Sequence, residues 1–284
     1  MGNDKPVGII DIGSNSVRLV VFDGPHRAPT SVFNEKTLCG LGAGVAATGA
    51  LDPAAADAAE VAVRRYMAVA RGMGVGRLRA IATSAPREAS NGAAFAARLG
   101  TIIGAPVDVI SGAEEARLAA LGVIAGFPNA RGLVGDLGGG SLELAAVDGA
   151  ALRRGLDAGL GTMCTLPLGP LSLRGAAGDD PDRMPMIIDD ALDAVFDAGL
   201  VDADAAAAAF FPVGGAWRAI AKLHIAQTRY PLRVLHHYAI DGAEALRFAE
   251  LVAGLSKSSI QATHAVSRRR ADTLPLTALV LARL

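Results

Sequence analysis

The residues with the clearest chemical potential form a glycine-rich stretch near the middle of the chain, DLGGGSLE at residues 136–143. The apolar residues before it predict a buried strand and residues 142–147 predict a returning strand, so the glycines fall in the turn of a β-hairpin. At such a turn, successive Gly and Ser N–H groups can converge on an anion. Asp136 and Glu143 flank the turn, and two carboxylates beside a phosphate group can hold Mg²⁺ against its oxygens. The stretch therefore predicts a phosphate and magnesium site.

A weaker copy of the same pattern opens the chain, at DIGSNS, residues 11–16. Apolar residues on both sides predict another strand, turn and strand, in which Asp11 takes the place of Asp136. One such turn alone is weak evidence for a phosphate site. Two matched turns, each preceded by Asp, indicate an internal duplication.

The composition limits the classes of protein to which the chain can belong. Its 284 residues are enough for two domains, and a hydrophobic content of 51% with only 4% aromatic residues indicates helix-rich packing. A net charge of −1 and a pI near 6.5 exclude the global positive field that attracts nucleic acids. There is no apolar run of about 18 residues to span a membrane, and no signal-peptide pattern, so we expect a cytoplasmic protein. Cys39 and Cys164 lie far apart without a CxxC spacing, which is typical of buried thiols.

The first half of the chain alternates strands with helices. Beyond the first hairpin we expect strands over residues 30–34, 79–83 and 107–110, a helix over residues 54–73 capped by Asp52, and a second helix ending at Leu99. This alternation predicts an α/β domain with a mixed sheet. We place the domain boundary near Ala125, which gives domains 1–125 and 126–284.

The second half is expected to repeat this plan. We predict strands over residues 152–156 and 234–240, a glycine turn over residues 159–162, and helices over residues 184–198, 243–255, 256–265 and 272–284. On a strand, His236 and His237 would point to opposite faces and could not bind one metal ion together, so we assign no zinc site. Residues 268–270 are all Arg, which is typical of a solvated turn, with a phosphate-binding cluster as the alternative.

Two further places carry polar groups suited to phosphate chemistry. Gly214 and Gly215 follow a predicted strand and open a helix, where their N–H groups could bind a phosphate or a nucleoside; a plain strand-to-helix turn is the alternative. Ser111 and Glu114 form a capping box, which accounts for Glu114. Glu115 has no such structural role, and either a favourable interaction with the helix dipole or a role in chemistry explains it.

These motifs in this order resemble the exopolyphosphatase and guanosine pentaphosphate phosphohydrolase (Ppx/GppA) family of the actin, Hsp70 and sugar-kinase superfamily. The stretches that carry the resemblance are IDIGSNS at 10–16, ATSAPREA at 82–89, ISGAEEARL at 110–118 and GDLGGGSLEL at 135–144. The resemblance implies an α/β fold of two actin-like (ribonuclease H-like) domains, with mixed sheets flanked by helices and an interdomain cleft. Relatives usually continue with a further strand and helix beyond the last helix here, so we expect the second domain to be truncated at its C-terminus.

The resemblance also implies roles for individual residues. Glu115 would be the general base that activates a water molecule, and Asp136 and Glu143 would hold Mg²⁺, with Asp11, the counterpart of Asp136, as a further metal ligand. The residues expected to bind phosphate are Gly13, Ser14, Asn15, Ser16, Arg87, Gly138, Gly139, Gly140, Ser141, Gly214 and Gly215.

The expected activity is Mg²⁺-dependent release of orthophosphate from the end of inorganic polyphosphate. The sequence leaves open hydrolysis of pppGpp at the same site, and a non-catalytic module that binds polyphosphate or (p)ppGpp. A sugar kinase is disfavoured because it needs an adenosine pocket and a substrate that bears a hydroxyl. We expect no nucleic acid or membrane as a partner, and a homodimer is compatible with the resemblance.

Overall fold

The computed structural model describes residues 5–26, 29–178, 180, 182–201, 208–263, 266–267 and 270–284. The chain divides into two compact units, Met1–Glu115 and Ala116–Leu284. The division falls inside the helix Gly112–Gly126, upstream of the boundary near Ala125 that the sequence suggested.

The first unit is built on a mixed five-stranded sheet. Its strands are β1 (Val7–Ile12), β2 (Ser16–Phe22), β3 (Ser31–Leu38), β4 (Arg77–Ala82) and β5 (Val107–Val109), in the order β3-β2-β1-β4-β5. The β1–β2 and β2–β3 pairs are antiparallel, whereas the β1–β4 and β4–β5 pairs are parallel. The strands predicted in this half are all present.

Helices cover the sheet of the first unit. They are α1 (Val45–Thr48), α2 (Pro53–Gly72), α3 (Ser84–Glu88) and α4 (Gly92–Ile103). Helix α2 begins as predicted, because the Asp52 side chain accepts a hydrogen bond from Ala55 N and Pro53 occupies the first turn. Fully buried Tyr66 of α2 and Phe95 of α4 join Ile10 and Leu19 of the sheet in one core.

The second unit repeats this sheet plan with four strands. They are β6 (Arg131–Leu137), β7 (Leu142–Asp148), β8 (Leu160–Leu166) and β9 (Phe210–Val213), in the order β8-β7-β6-β9. The β6–β7 and β7–β8 pairs are antiparallel and β6–β9 is parallel. Each unit therefore has a central hairpin with an antiparallel strand on one side and a parallel strand on the other, as the predicted duplication requires.

The helices of the second unit pack against its sheet. They are the remainder of α5 (Gly112–Gly126), then α6 (Pro170–Ala177), α7 (Arg183–Asp197), α8 (Gly215–Gln227), α9 (Gly242–Ala253), α10 (Lys257–Ala262) and α11 (Leu274–Arg283). Ala116 and Ala120 of α5 pack with Val134 and Ala145 in one core cluster. A larger cluster holds Leu144 with side chains of α6 to α11. Within the described residues, every helix is too short or too polar to cross a bilayer.

The prediction for residues 152–162 is wrong. Two short 3-10 helices, Ala151–Arg154 and Leu156–Gly159, replace the expected strand, and β8 begins where the glycine turn was expected. The reason is close strand packing: a Cβ on Gly161 would lie 2.9 Å from Ala146 Cβ, near a register shift between β7 and β8. Here a glycine marks a tight place inside a strand and not a turn.

The strand expected over residues 234–240 is also absent. His237 has a φ of 62°, in the left-handed region that a strand does not visit. The rings of His236 and His237 do not point apart; their centroids are 4.3 Å from each other, and both contact Phe127, at 5.3 and 4.1 Å. Aromatic packing on Phe127 has replaced sheet pairing in this segment.

Candidate active site

In the first unit, the loop between β1 and β2, residues 13–16, is a tight turn whose carbonyl groups face away from its open side. We call it the first turn. Gly13 N donates to Ser16 O at 3.0 Å and closes it. Ser14 O accepts from Gly42 N at 2.6 Å, and Asn15 O accepts from Cys39 N and Gly40 N, both at 3.1 Å. Among the described residues, the Ser14 and Asn15 N–H groups donate to no backbone carbonyl, so this turn has the donor arrangement that a phosphate oxygen needs.

The Ser14 side chain is directed into the protein. Its Oγ lies 2.5 Å from Ser84 Oγ, and the two residues are only 4% and 3% exposed. Thr83 N also donates to Ile12 O at 3.1 Å. The start of α3 is thereby joined to the first turn by one side-chain contact and to the end of β1 by one backbone hydrogen bond.

Asp11 lies at the end of β1 with basic side chains around it. Its partner across the hairpin is Arg18. Burial raises the pKa of the Asp11 carboxyl above its ordinary value, and the charges of Lys36 and Arg18 act in the opposite direction. Asp11 is therefore a carboxylate whose charge is already partly compensated by the protein.

Arg87 and Glu115 form an ion pair in the first unit. Arg87 Nη1 donates to Glu115 Oε2 at 3.1 Å and to Ile110 O at 3.2 Å, and the two side chains are 21% and 17% exposed. Glu115 belongs to the first turn of α5, which begins after Ser111; Ser111 Oγ accepts from Glu114 N at 3.2 Å. The serine half of the predicted capping box is thus present. Arg87, which belongs to α3, holds the carboxylate of Glu115 in a fixed position.

In the second unit, residues 138–141 form a turn of the same design, the second turn. Gly138 N donates to Ser141 O at 2.9 Å, Gly139 O accepts from Leu171 N at 2.9 Å, and Gly140 O accepts from Gly169 N at 3.1 Å. A Cβ on Gly169 would lie 2.3 Å from the Gly140 carbonyl carbon, so only glycine fits there. The loop after β8 and the start of α6 hold the carbonyl groups of this turn, as the loop after β3 holds those of the first turn.

Two acidic residues face each other beside the second turn. Asp136 and Glu143 are direct partners across the β6–β7 hairpin, so their side chains share one face of the sheet. Glu143 is 1% exposed; its Oε1 accepts a hydrogen bond from Thr165 Oγ1 at 2.9 Å, and its Oε2 is also buried. A buried carboxylate held in this way is oriented by its neighbour across the sheet.

Gly214 lies close to the carboxylate of Asp136, and Gly215 lies close to Arg270. Gly214 has a φ of +105°, and a Cβ there would be 2.6 Å from Leu137 O and 3.0 Å from Asp136 Oδ1. Gly215 begins α8, and a Cβ on it would be 2.5 Å from Arg270 Nη2. Burial, and secondarily the charge of Arg218, lowers the pKa of Arg270. Arg270, the last of the three consecutive arginines, thus packs on Gly215, and residues 268 and 269 lie outside the described residues.

The donor set beside the second turn fits Mg²⁺. In the described part of the chain, His, Cys, Asp and Glu side chains form no group of three or more that could hold a metal ion. Mg²⁺ does not need one, because it is usually bound by one or two carboxylates together with phosphate oxygens and water. Asp136 and Glu143 supply such a pair, whereas Asp11 faces Arg18.

Two polar residues at these sites were missed by the sequence analysis. Thr165, which orients Glu143, lies in the stretch where the predicted strand was misplaced. Ser84 was quoted as part of a motif but received no role, because its contact with Ser14 spans 70 positions of sequence. Correct placement of β8 would have revealed Thr165 as the cross-strand partner of Glu143.

The chain is similar in sequence to a known protein family and to curated relatives. The model of the Ppx/GppA phosphatase family matches residues 19–284. A protein from Mycobacterium tuberculosis named exopolyphosphatase 2 is 37% identical over 149 residues, which are 49% of this chain and 47% of that protein. The chain spans about half the length of the curated relatives it matches.

Solved structures share the fold. The crystal structure of an exopolyphosphatase-like protein covers 99% of this chain and 88% of its own, with a TM-score of 0.81 and 25% identity. That of an exopolyphosphatase from Cytophaga hutchinsonii covers 98% of this chain and 89% of its own, with a TM-score of 0.82 and 22% identity. The predicted α/β fold with actin-like mixed sheets is confirmed. Since the family model matches nearly the whole chain, this protein belongs to the Ppx/GppA phosphatase family.

Proposed function

We propose that this chain hydrolyses the terminal phosphoanhydride bond of inorganic polyphosphate and releases orthophosphate. The observation that carries the proposal is the pairing of Glu115 with Arg87 in the unit that also presents the first turn. Relatives named exopolyphosphatase support the choice of substrate.

Backbone groups would bind most of the phosphate. The N–H groups of both turns are oriented by the loops that hold their carbonyl groups, so they can donate to phosphate oxygens without rearrangement. This mode of binding agrees with a net charge of only −1, because it does not require a strongly basic surface.

Glu115 would act as the general base. Its carboxylate accepts a proton from a water molecule while the water oxygen forms a bond to the terminal phosphorus. The bridging P–O bond breaks at the same time, and its electron pair stays on the shortened polyphosphate chain. Positioning and charge neutralisation supply most of the catalysis in such phosphoryl transfers.

Arg87 can serve both the base and the substrate. Its Nη1 holds Glu115, while its Nη2 lies 3.7 Å from Glu88 Oε1, too far for a hydrogen bond. That amino group can therefore donate to a phosphate oxygen and neutralise part of the charge that develops during the reaction.

Asp136 and Glu143 would hold Mg²⁺, which when bound supplies positive charge to the phosphate oxygens. Thr165 keeps the Glu143 carboxylate oriented for this purpose. Asp11 would be a poorer metal ligand than Asp136 and Glu143, because it faces the basic Arg18. Gly214 and Gly215 would donate N–H groups to phosphate, and Arg270, which packs on Gly215, would add a positive charge there.

The test is phosphate release from long-chain polyphosphate, with and without Mg²⁺, by the wild-type chain and two matched variants. Glu115→Gln removes the base and is expected to lower kcat on the order of 10²-fold or more. Glu114→Gln changes the neighbouring carboxylate and is expected to retain activity. Equal activity of the Glu115→Gln variant, faster turnover of pppGpp than of polyphosphate, or tight polyphosphate binding without phosphate release would each overturn the proposal.

A further inference from the structure

Helix α3 is held in place mainly by contacts outside itself. It contains five residues, and a helix of that length is not stable alone. At its start, Ser84 Oγ meets Ser14 Oγ and Thr83 N donates to Ile12 O. At its end, Arg87 Nη1 is bound to Ile110 O and Glu115 Oε2. One end of the helix thus touches the first turn and the other touches the carboxylate proposed as the base.

The hydroxyl contact is buried and has no solvent competitor. Ser84 is 3% exposed and Ser14 is 4% exposed, with the two oxygens 2.5 Å apart. If either hydroxyl group were removed, the other would stay buried but would lose this hydrogen-bond partner. That loss favours a shift of α3 or of the first turn. Ser84 is three positions before Arg87, so such a shift would be passed directly to the guanidinium group.

The second unit shows what this contact adds. In the first unit, the strand partner of Asp11 is Ile81, and Ser84 is the third residue after it. In the second unit, the strand partner of Asp136 is Val213, and the third residue after it is Ala216. The turn residue corresponding to Ser14 is Gly139. The second unit therefore keeps the turn but lacks both hydroxyl groups.

Helix α8, which follows β9, does not need such a contact. It has 13 residues and is anchored in the core by Trp217 and Ile220, which are 2% and 3% exposed. The hydroxyl pair is thus present where the helix is short and carries a proposed active-site arginine.

We propose that Ser84 is a positioning residue: through Ser14 it fixes the spacing between the first turn and Arg87, and so aligns Glu115 with the phosphate that the turn binds. This role rests on the proposed function. Ser84 itself contacts neither water nor phosphate in the reaction, and it acts through Ser14 and Arg87.

The first measurement is kcat and KM for phosphate release by the Ser84→Ala and Ser14→Ala variants. Small misplacements of catalytic groups lower rates by up to about 10²-fold, and we expect a loss in kcat/KM on the order of tenfold, mostly in kcat. The control is Ser90→Ala, whose hydroxyl donates to Gly49 O at an exposed position of the same segment. The Ser90→Ala variant is expected to keep wild-type kinetics, and thermal unfolding establishes that each variant is folded at the assay temperature.

Double variants separate positioning from a general structural defect. If Ser84 acts through Arg87, the Ser84→Ala loss shrinks to little or nothing in an Arg87→Ala background, and the Ser14→Ala/Ser84→Ala variant is no worse than either single variant. The inference would be overturned if the losses in kcat/KM of the single variants multiplied in both double variants. It would also be overturned if the Ser84→Ala and Ser14→Ala variants were folded and had wild-type kinetics.

Failure of the proposed function gives a different pattern. A wild-type chain that binds tripolyphosphate in calorimetry but releases no phosphate would refute the proposed activity alone. In that case, weaker tripolyphosphate binding by the Ser84→Ala variant would support the positioning role, and unchanged binding would refute it. A wild-type chain with neither turnover nor binding would refute both.

Discussion

The first and second turns are built by the same hydrogen bonds but stand beside different charges. In each, the first glycine N–H closes the turn onto a serine carbonyl, and the segment that follows the third strand of the unit donates to the two middle carbonyls. Beside the first turn, Asp11 faces Arg18; beside the second, Asp136 faces Glu143. The residue across the hairpin is therefore the main difference between the two sites.

This difference assigns separate tasks to one scaffold. An acid opposite a base is compensated within the protein, whereas two acids opposite each other are a favourable place for an added cation. The comparison favours Asp136 and Glu143 over Asp11 as ligands of the proposed Mg²⁺. The first unit instead places its additional charges on α3, which carries Arg87, and in the first turn of α5, which carries Glu115.

The largest effect is expected where the two units differ in backbone shape. Gly214 follows the strand partner of Asp136, just as Ala82 follows the strand partner of Asp11. Of the two, only Gly214 has a positive φ, and a Cβ on it would lie 2.6 Å from the carbonyl oxygen of Leu137. Gly214→Ala should lower the free energy of unfolding by about 3 kcal/mol or more. Ala82→Gly, the matched change, should lower it by about 1–2 kcal/mol. Urea unfolding measures both, and similar losses would contradict the comparison.

The next effect concerns the paired carboxylates. Glu143→Gln keeps an acceptor for Thr165 but removes a negative charge, so the Mg²⁺ concentration for half-maximal phosphate release should rise about tenfold or more. Asp148→Asn alters an exposed carboxylate at the far end of the same hairpin, whose Oδ1 accepts from Ala150 N, and should leave Mg²⁺ dependence unchanged. An unaltered Mg²⁺ response in the Glu143→Gln variant would remove this residue from the metal site.

A smaller effect should appear as a pH dependence of stability at Asp11. Burial raises the pKa of Asp11 above 3.8, so ionisation of its carboxyl group lowers the free energy of unfolding. This loss is absent below the unfolded-state pKa, grows as the pH rises, and is complete above the folded-state pKa. The stability of the Asp11→Asn variant relative to wild type should therefore increase between pH 4 and pH 7.

Urea unfolding at several pH values measures that difference. Asp57→Asn, on the exposed side of α2, serves as the control for an ordinary surface carboxylate. A relative stability of the Asp11→Asn variant that falls with rising pH would show that Arg18 and Lys36 outweigh burial.

The smallest effect tests the equivalence of the turns themselves. A Cβ on Gly13 would lie 3.5 Å from Ser16 O, and one on Gly138 would lie 3.5 Å from Ser141 O, which are ordinary contacts. Gly13→Ala and Gly138→Ala should each change the free energy of unfolding by less than about 1 kcal/mol, and by similar amounts. Clearly unequal changes in thermal unfolding would show that the two turns are not equivalent.

Local patterns predicted much of this molecule. Both hairpins follow from apolar residues around Asp- and Gly-containing turns, and α2 follows from Asp52 and Pro53 at its start. The duplication was visible for the same reason: each turn is encoded within a few neighbouring residues. Asp136 and Glu143 stood out as candidates from their places beside the glycine-rich turn, and the family resemblance then gave Glu115 its expected role.

Contacts between distant parts of the sequence were not predictable in this way. Residues 234–240 contain β-branched and aromatic residues suited to a strand, but Phe127 offers a packing surface that the local sequence does not reveal. Gly161 resembles a turn residue until Ala146 is placed beside it. The Ser14–Ser84 contact and the Thr165–Glu143 contact likewise depend on strand pairing across the sheets.

The loops that hold the carbonyl groups of the two turns have a consequence for recognition. Their hydrogen bonds, such as Gly42 N to Ser14 O and Leu171 N to Gly139 O, are formed within the protein and need no ligand. The amide groups are thus preorganised, and a phosphate that binds them loses little affinity to the conformational entropy of loop ordering. If the two turns bind phosphate as proposed, amide groups fixed in this way would favour the tetrahedral arrangement of phosphate oxygens, so planar anions such as nitrate or carboxylates should compete poorly.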